Sequence, residues 1–239
     1  MQRKSRALTP SPFRYFNSSP EIIGLVVMMY VRFPLSLRNV EDLLFERGID
    51  ICLETVRFWW NRFGLLFASM IRKRRISAGC FSRHRWHVGE MCVKIRGKRR
   101  WLWRAVDHEG EVLESFVTKS RNKAAAQKFL KKALKSYGSA STIVTDGLRS
   151  YPAAMRELGN LDRREMDQWL NNRAENSHLA YRRRKRAMLK FRRMQTLQKF
   201  ASVHANIQNH FNHERHLVDR QTYKTRRSAA RAEWQNLAA

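Results

Sequence analysis

Thr142-Ile143-Val144-Thr145-Asp146 is a β-branched run ending in an acid, and Asn171-Asn172-Arg173-Ala174-Glu175-Asn176-Ser177-His178 follows it after a short connection. These two segments decide the fold. An unbroken run of β-branched residues has the composition of a buried strand, so Asp146 is expected at or just past a strand end. Between Leu170 and Phe191 neither Pro nor Gly interrupts the chain, which favours a helix. On that helix Glu175, Leu179 and Arg182 fall at i, i+4 and i+7, on one face. A carboxylate on a strand end across from one on a helix is a common way to hold divalent cations for phosphoryl transfer, with Arg182 placed to meet a phosphate. A turn aspartate and a solvated Glu–Arg pair would account for the same residues taken alone.

Upstream of this pair the pattern is that of strands. Val88 to Ile95, Arg100 to Val106 and Val112 to Thr118 read as three strands, with turns at Gly97 and at Asp107-His108-Glu109-Gly110. Asp107 opens a Gly-containing turn, where Asp is common for local hydrogen bonding, so a turn role is the expectation for it. Asn122 is a helix cap for a segment bearing Phe129, Leu130, Ala133, Leu134 and Tyr137, closed by Gly138. After the Glu175 helix, Met194, Leu197, Ala201, His204, Ile207 and Phe211 mark another amphipathic helix, with His204 at its core edge. His178 is expected beside the site or on the surface rather than in the chemistry.

The first third is helical. Residues 1–19 read as a loose polar arm, with Ser19 a cap and Pro20 at the first helical position. Ile22, Ile23, Val26, Val27 and Tyr30 have helical spacing. A second helix is expected from about Leu37 to Arg47, stopped by Gly48. The third carries Val56, Trp59, Trp60, Phe63, Phe67 and Met70 at three- and four-residue steps. Helix, Gly-containing turn, helix is how a recognition helix is placed in the major groove, although an ordinary bundle has the same period. The candidate base readers are Glu54, Thr55, Arg57 and Asn61, with Arg62, Arg72 and Arg74 for phosphate. The expected divisions are a helix–turn–helix domain over 1–75, a basic linker over 76–85, a catalytic domain over 86–215 and a basic helical tail over 216–239 that either packs back on the body or contacts DNA. The basic character of the linker begins earlier, at Ile71.

Trp86-His87-Val88, Trp103-Arg104-Ala105-Val106-Asp107, Val144-Thr145-Asp146, Leu170-Asn171-Asn172-Arg173-Ala174-Glu175 and Leu197-Gln198-Lys199-Phe200 occur in order over most of the chain. Together they resemble the DDE transposases of bacterial insertion sequences, and among these the short, cointegrate-forming family-six group. The resemblance implies an RNase H-like α/β catalytic domain, a mixed sheet flanked by helices, preceded by an all-α helix–turn–helix domain. It implies catalytic acids at Asp146 and Glu175 and a basic partner at Arg182, with Glu165 and Glu157 as weaker candidates for the place of Glu175. It further implies Mg2+, with Mn2+ as a substitute, in a two-metal site to which Asp146 and Glu175 belong. In the family pattern the opening strand reads Trp-His-x-Asp-Glu, whereas this chain reads Trp86-His87-Val88-Gly89-Glu90. Gly89 stands where the first metal-binding Asp belongs. Glu90 is next to it, but alternation along a strand turns its side chain to the opposite face. The implied function is metal-dependent DNA cleavage and strand transfer at terminal repeats, impaired at the first acid. The alternative is a DNA-binding derivative without catalysis, and an RNase H-type nuclease would lack the same acid.

Charge points to the partner. With 48 Lys and Arg against 20 Asp and Glu, the net charge is +28, which favours binding to polyanions. The partners expected are double-stranded DNA, as element ends and target, and further copies of the chain assembled on it, with no small-molecule substrate. No run reaches ~18 uninterrupted apolar residues, so no membrane span is expected. Cys52, Cys80 and Cys92 fit neither a disulfide framework nor a zinc motif and suit a reducing bacterial cytoplasm, with nucleoid association when DNA is bound. Each is expected to be a small buried or half-buried residue.

Overall fold

The computed structural model describes residues 11–79, 84–166, 171–212 and 218–238. Three helices come first: α1 (Pro20–Arg32), α2 (Leu37–Phe45) and α3 (Leu53–Ser77). Strands β1 (Arg85–Ile95), β2 (Lys98–Asp107) and β3 (Val112–Thr118) follow, then α4 (Lys123–Tyr137), β4 (Thr142–Thr145) and α5 (Ser150–Glu157). A single 3-10 turn leads to β5 (Arg164–Met166), and α6 (Asn172–Arg186), α7 (Met194–His210) and α8 (Arg220–Ala238) complete the chain.

Local chemistry sets most of these boundaries. Ser19 accepts a hydrogen bond from the Ile22 amide with Pro20 at the first helical position, and Ser36 and Asn39 form a reciprocal capping box. Asn122 caps α4 by accepting from the Ala125 amide. Arg96 and Gly97 both have positive φ, 48° and 77°, which a two-residue hairpin between right-twisted strands requires.

The five strands lie in the order β3-β2-β1-β4-β5. β1 to β3 are an antiparallel meander, while β4 pairs parallel with β1 and β5 parallel with β4. The result is a mixed sheet flanked by helices. β3 is an edge strand whose outer groups would lie open, a liability for any sheet. Two amides of α7 close it. Gln198 accepts from the Val117 amide and donates to the Ser115 carbonyl, and Asn209 accepts from and donates to Val112, all at 2.8–2.9 Å.

Alternation along β1 divides the interior in two. Trp86 and Val88 join Trp103, Phe129, Ile143 and Tyr151 beneath α4 and α5. Met91, Val93 and Ile95 join a larger cluster built from α1, α3, α7 and α8. That second cluster runs without a break from the N-terminal helices to the sheet, with Trp60 packed edge-on to Phe200 of α7. Helix α3 continues through Ser77 with Ile71 buried, so the basic stretch expected to start a linker is helix, and of the expected 76–85 linker residues 80–83 lie outside the described residues.

The start of the described chain also differs from expectation. Phe13, assigned to a loose arm, is buried and stacks on Phe63 with ring centroids 4.8 Å apart. The C-terminal stretch, expected as a basic helix that packs back on the body or contacts DNA, is α8, which docks on the helical core. Trp234 lies 4.9 Å from Phe67, centroid to centroid, and its indole N–H donates to the Gly24 carbonyl. Among its described residues α8 buries Ala230, Trp234 and Leu237 and turns most of its basic residues outward. Cys52 and Cys92 are exposed, contrary to expectation, because Cys52 stands at the start of α3 and Cys92 points outward from β1, and Cys80 lies outside the described residues.

Truncating Trp234 to Ala should cost about 3–5 kcal/mol by loss of a buried aromatic, measurable by urea unfolding of the full chain. A cost within about 0.5 kcal/mol would mean that α8 is an adherent tail. His204, buried against Tyr181 and Phe200, is held well below the usual histidine range by desolvation. A depressed value means the unfolded chain binds the extra proton. Stability from His204 is therefore complete above about pH 6.5 and lost as pH falls from there toward its folded value. The burial-lowered His178 and His210 act with the same sign. His204→Phe should remove up to about 1.4 kcal/mol per pH unit from the slope of stability between pH 6.5 and 5.

Candidate active site

The site forms where β1, β4 and α6 meet. His87 pairs with Val144 and Val88 with Thr145, so one further step brings Gly89 beside Asp146. Adjacent strands lie about 4.8 Å apart, which makes these two positions neighbours. A side chain at 89 would point at α6: its Cβ would stand 3.2 Å from the Ala174 Cβ and 3.3 Å from the His178 Cε1. Asn171, at the start of α6, donates to the Val88 carbonyl at 3.2 Å and fixes that close approach. Sequence reasoning thus placed Gly89 on the correct strand, facing the helix that carries Glu175.

Each acid has its own surroundings. Asp146 accepts from the Leu148 amide at 3.0 Å, as turn aspartates do, and its other oxygen lies 3.9 Å from Arg121. Glu175 is half exposed, 3.5 Å from the buried His178 and 3.7 Å from Arg182. The close approach of His178 and the Arg182 charge hold the Glu175 carboxyl below its ordinary value, outweighing partial burial. Leu179 is 40% exposed, so the Glu175–Leu179–Arg182 face looks to solvent. Glu165 and Glu157 are taken up elsewhere, in ion pairs with Arg85 and Lys123.

Glu90 turns the other way, as alternation requires. Tyr151 donates to it at 2.5 Å and Arg121 holds it through Nε at 2.7 Å. Burial raises its carboxyl above the ordinary range, with the Asp146 charge acting in the same direction. Arg121 therefore spans Glu90 and Asp146. Sequence reading missed Arg121, whose place is set by the β3–α4 connection and by its stacking on Trp101, 4.9 Å away.

Asp107 lies elsewhere. It pairs with Trp86, three residues before Gly89, which is about 10 Å along the strand at ~3.3 Å per residue. Its Oδ1 accepts from the amides of Glu109 and Glu111, the turn role expected of it. With those two glutamates it forms the acidic group whose oxygens come within 4.8 Å of one another among the described residues, and Arg75 pairs with Glu111 there.

Position 89 therefore supplies no carboxylate, and Glu90 is engaged by Tyr151 and Arg121. The residues present do not complete the three-carboxylate set that the family pattern uses for two ions.

Of the candidate DNA readers on α3, Arg57 is bound to Glu54 through both carboxylate oxygens, and Arg62 is exposed. Thr55 contacts the Cys52 sulfur at 3.3 Å. Asn61 is less available. Its amide donates to the Arg57 carbonyl, and its oxygen accepts from Lys199 of α7 at 3.2 Å. Arg72 lies over the Tyr137 ring and 3.6 Å from Glu114, whereas Arg74 is exposed.

A family model described as a DDE domain, of the IS240 transposase type, matches residues 83–214. The chain is 29% identical over 171 residues to the transposase for insertion sequence-like element IS431mec of Staphylococcus aureus, covering 70% of this chain and 75% of that protein. The S. aureus transposase for insertion sequence element IS257 in transposon Tn4003 matches equally, at 29% over 171 residues with the same coverage. An uncharacterized protein of Methanocaldococcus jannaschii is 28% identical over 201 residues, 84% of this chain and 88% of the other. A chain in the cryo-EM structure of the simian T-cell lymphotropic virus intasome with PP2A regulatory subunit B56 gamma aligns at a TM-score of 0.40 and 16% identity. It covers 79% of this chain and 66% of that one, a likeness that adds nothing to the family assignment. This chain belongs to the DDE-domain transposases of insertion sequences, a family of DNA cleavage and strand transfer. Among the described residues no helix is long and apolar enough to cross a membrane.

Proposed function

We propose that this chain binds the terminal repeats of an insertion sequence through its N-terminal helices and is impaired in the chemical step. One observation carries the reading: position 89, beside Asp146 and facing the Glu175 helix, has no side chain. Asp146 and Glu175 are the carboxylates left to hold Mg2+ or Mn2+, and Arg182 is the residue to orient a DNA phosphate. Losing one of three ligands misplaces the attacking oxygen, and small misplacements of that kind cost about a hundredfold. The net charge of +28 supports tight, salt-sensitive binding to double-stranded DNA. Assembly of several copies on DNA, within a bacterial cytoplasm, belongs to the same reading.

A second reading, a DNA-binding derivative with no catalysis, is favoured by the packing at the same position. Ala174 and His178 approach so closely that even a Cβ at 89 would be tight. Helix α6 has no slack there for a carboxylate unless it yields by a few tenths of an ångström.

Restoring the acid separates the two. Gly89→Asp should raise cleavage of a labelled terminal-repeat duplex in magnesium buffer about a hundredfold or more, with DNA affinity nearly unchanged. Ala174→Gly added to it relieves the tightest contact. If both variants fold, bind and remain as inert as the parent, the non-catalytic derivative is the correct reading. Glu90→Ala should not abolish cleavage in the Gly89→Asp background. Loss of a substantial parental activity on Glu90→Ala would instead mean that Glu90 had replaced the missing acid.

For recognition, the Arg57–Glu54 pair is exposed, and such pairs are weak enough to exchange for a base contact. Arg57→Ala should cost about 1–3 kcal/mol of discrimination between terminal repeat and random duplex. Arg62→Ala should weaken both alike and lower the salt slope by about one. Equal loss on both duplexes for Arg57→Ala would reduce that residue to a phosphate contact. Asn61, engaged by its own helix and by Lys199, is the weaker candidate. Point variants are the appropriate probes because the N-terminal helices share their core with α7 and α8.

A further inference from the structure

Arg104 lies on β2 directly across from Gly89, on the same face of the sheet. It is 1% exposed. One guanidinium nitrogen donates to the Ser177 carbonyl at 2.8 Å and the group stacks 4.8 Å from the Tyr181 ring centroid. Its Nε and Nη2 have no hydrogen-bond partner among the described residues. Burial lowers its value to about 10, which still leaves it charged at neutral pH. A buried cation without a counter-charge is costly, by several kcal/mol in ordinary cases.

Arg104 is one of the residues that line a cavity of about 140 Å³ between α6, α7 and the β2–β3 turn. One water needs only ~10–15 Å³, so the space takes a small ion with its solvent. Arg173, Asn176, Gln208 and Asn212 stand around it, and among the described residues no carboxylate lines it. Asn209 is wall rather than ligand, since both its amide atoms are bound to Val112. Arg173 and Asn176 are exposed and sit in the first turns of α6, where the helix dipole adds positive potential. Arg184 makes a useful contrast. It too is buried with two free nitrogens, but it is packed against the Tyr30 and Phe200 rings and does not line this cavity.

We propose that the cavity under Arg104 is a phosphate-binding site, taking either a free phosphate ion or a phosphodiester of bound DNA. On α6 it lies on the Arg173–Asn176–Ser177–Ala180 face, opposite the Glu175–Arg182 face. It is a second site on the same helix, and it does not depend on whether the chain cuts DNA.

The test is thermal unfolding of the full chain against inorganic phosphate, with sodium chloride adjusted to hold ionic strength constant. The parent should gain stability saturably in the millimolar range. Arg173→Gln with Asn176→Ala should shift that response at least tenfold in concentration, whereas Arg226→Gln, on the remote α8 surface, should not. Arg104→Met should abolish the response and, without phosphate, be as stable as the parent or more so, because it removes an uncompensated buried charge. An unchanged phosphate response in Arg104→Met, or in the Arg173→Gln, Asn176→Ala pair should Arg104→Met fail to fold, would overturn the proposal. Loss of the parent's response by as much in Arg226→Gln would also overturn it, since general surface charge would then explain the effect. A saturating short duplex identifies the source. If it eliminates the phosphate response, the site holds a DNA phosphodiester; if the response persists, it holds the free ion.

Discussion

The contact between α6 and β1 at Gly89 is the constraint on which the rest depends. Ala174 and His178 come within van der Waals distance of where a Cβ would be, and Asn171 holds the start of the helix to the Val88 carbonyl. That proximity sets Glu175, the residue after Ala174, close to the strand that carries Gly89. It also seals His178 from water, so the imidazole is disfavoured as a cation yet remains the nearest partner of Glu175. A glycine permits this contact. On the proposed reading, the same glycine leaves the site one carboxylate short.

The second organising feature is the way cations are buried in a chain so rich in them. Arg184 reaches across from α6 to the Tyr30 carbonyl of α1 at 2.6 Å and lies against aromatic faces, tying the N-terminal helices to the catalytic fold. Arg121 joins two carboxylates on neighbouring strands. Arg104 donates to the Ser177 carbonyl and stacks on Tyr181 but has no carboxylate partner among the described residues, and it alone of the three lines the cavity between α6 and α7. The helices assigned to DNA reading and the sheet assigned to chemistry share one apolar cluster through α7 and α8. On the proposed reading, a change of α3 on DNA would therefore be felt at the edge strand that Gln198 and Asn209 complete.

Much of this was legible in the chain itself. Period-two runs marked β1 to β3, Asn122 and Gly138 bounded α4, and the β-branched segment ending at Asp146 marked β4, because backbone preference and local hydrogen bonding act over a few residues. The motif text located Gly89, Asp146 and Glu175 and the strand or helix of each. The period of side chains along a strand sufficed to turn Glu90 away, and the Gly-containing turn sufficed to occupy Asp107.

Other features were decided only by tertiary packing. Helix α5 and the three-residue β5 carry too little pattern to announce themselves, and β5 exists because β4 offers it an open edge. The basic stretches at the end of α3 and in α8 read as linker and tail, since composition counts charges but not the side they face. In the fold, a few apolar residues on each stretch find the core and the charges remain in water. Arg104 stood in plain view within a quoted motif, and nothing local distinguished it from the other arginines. Its burial, its unmatched nitrogens and the cavity beside it depend on β2, α6 and α7 coming together across more than a hundred residues, a distance over which sequence pattern has no physical reach.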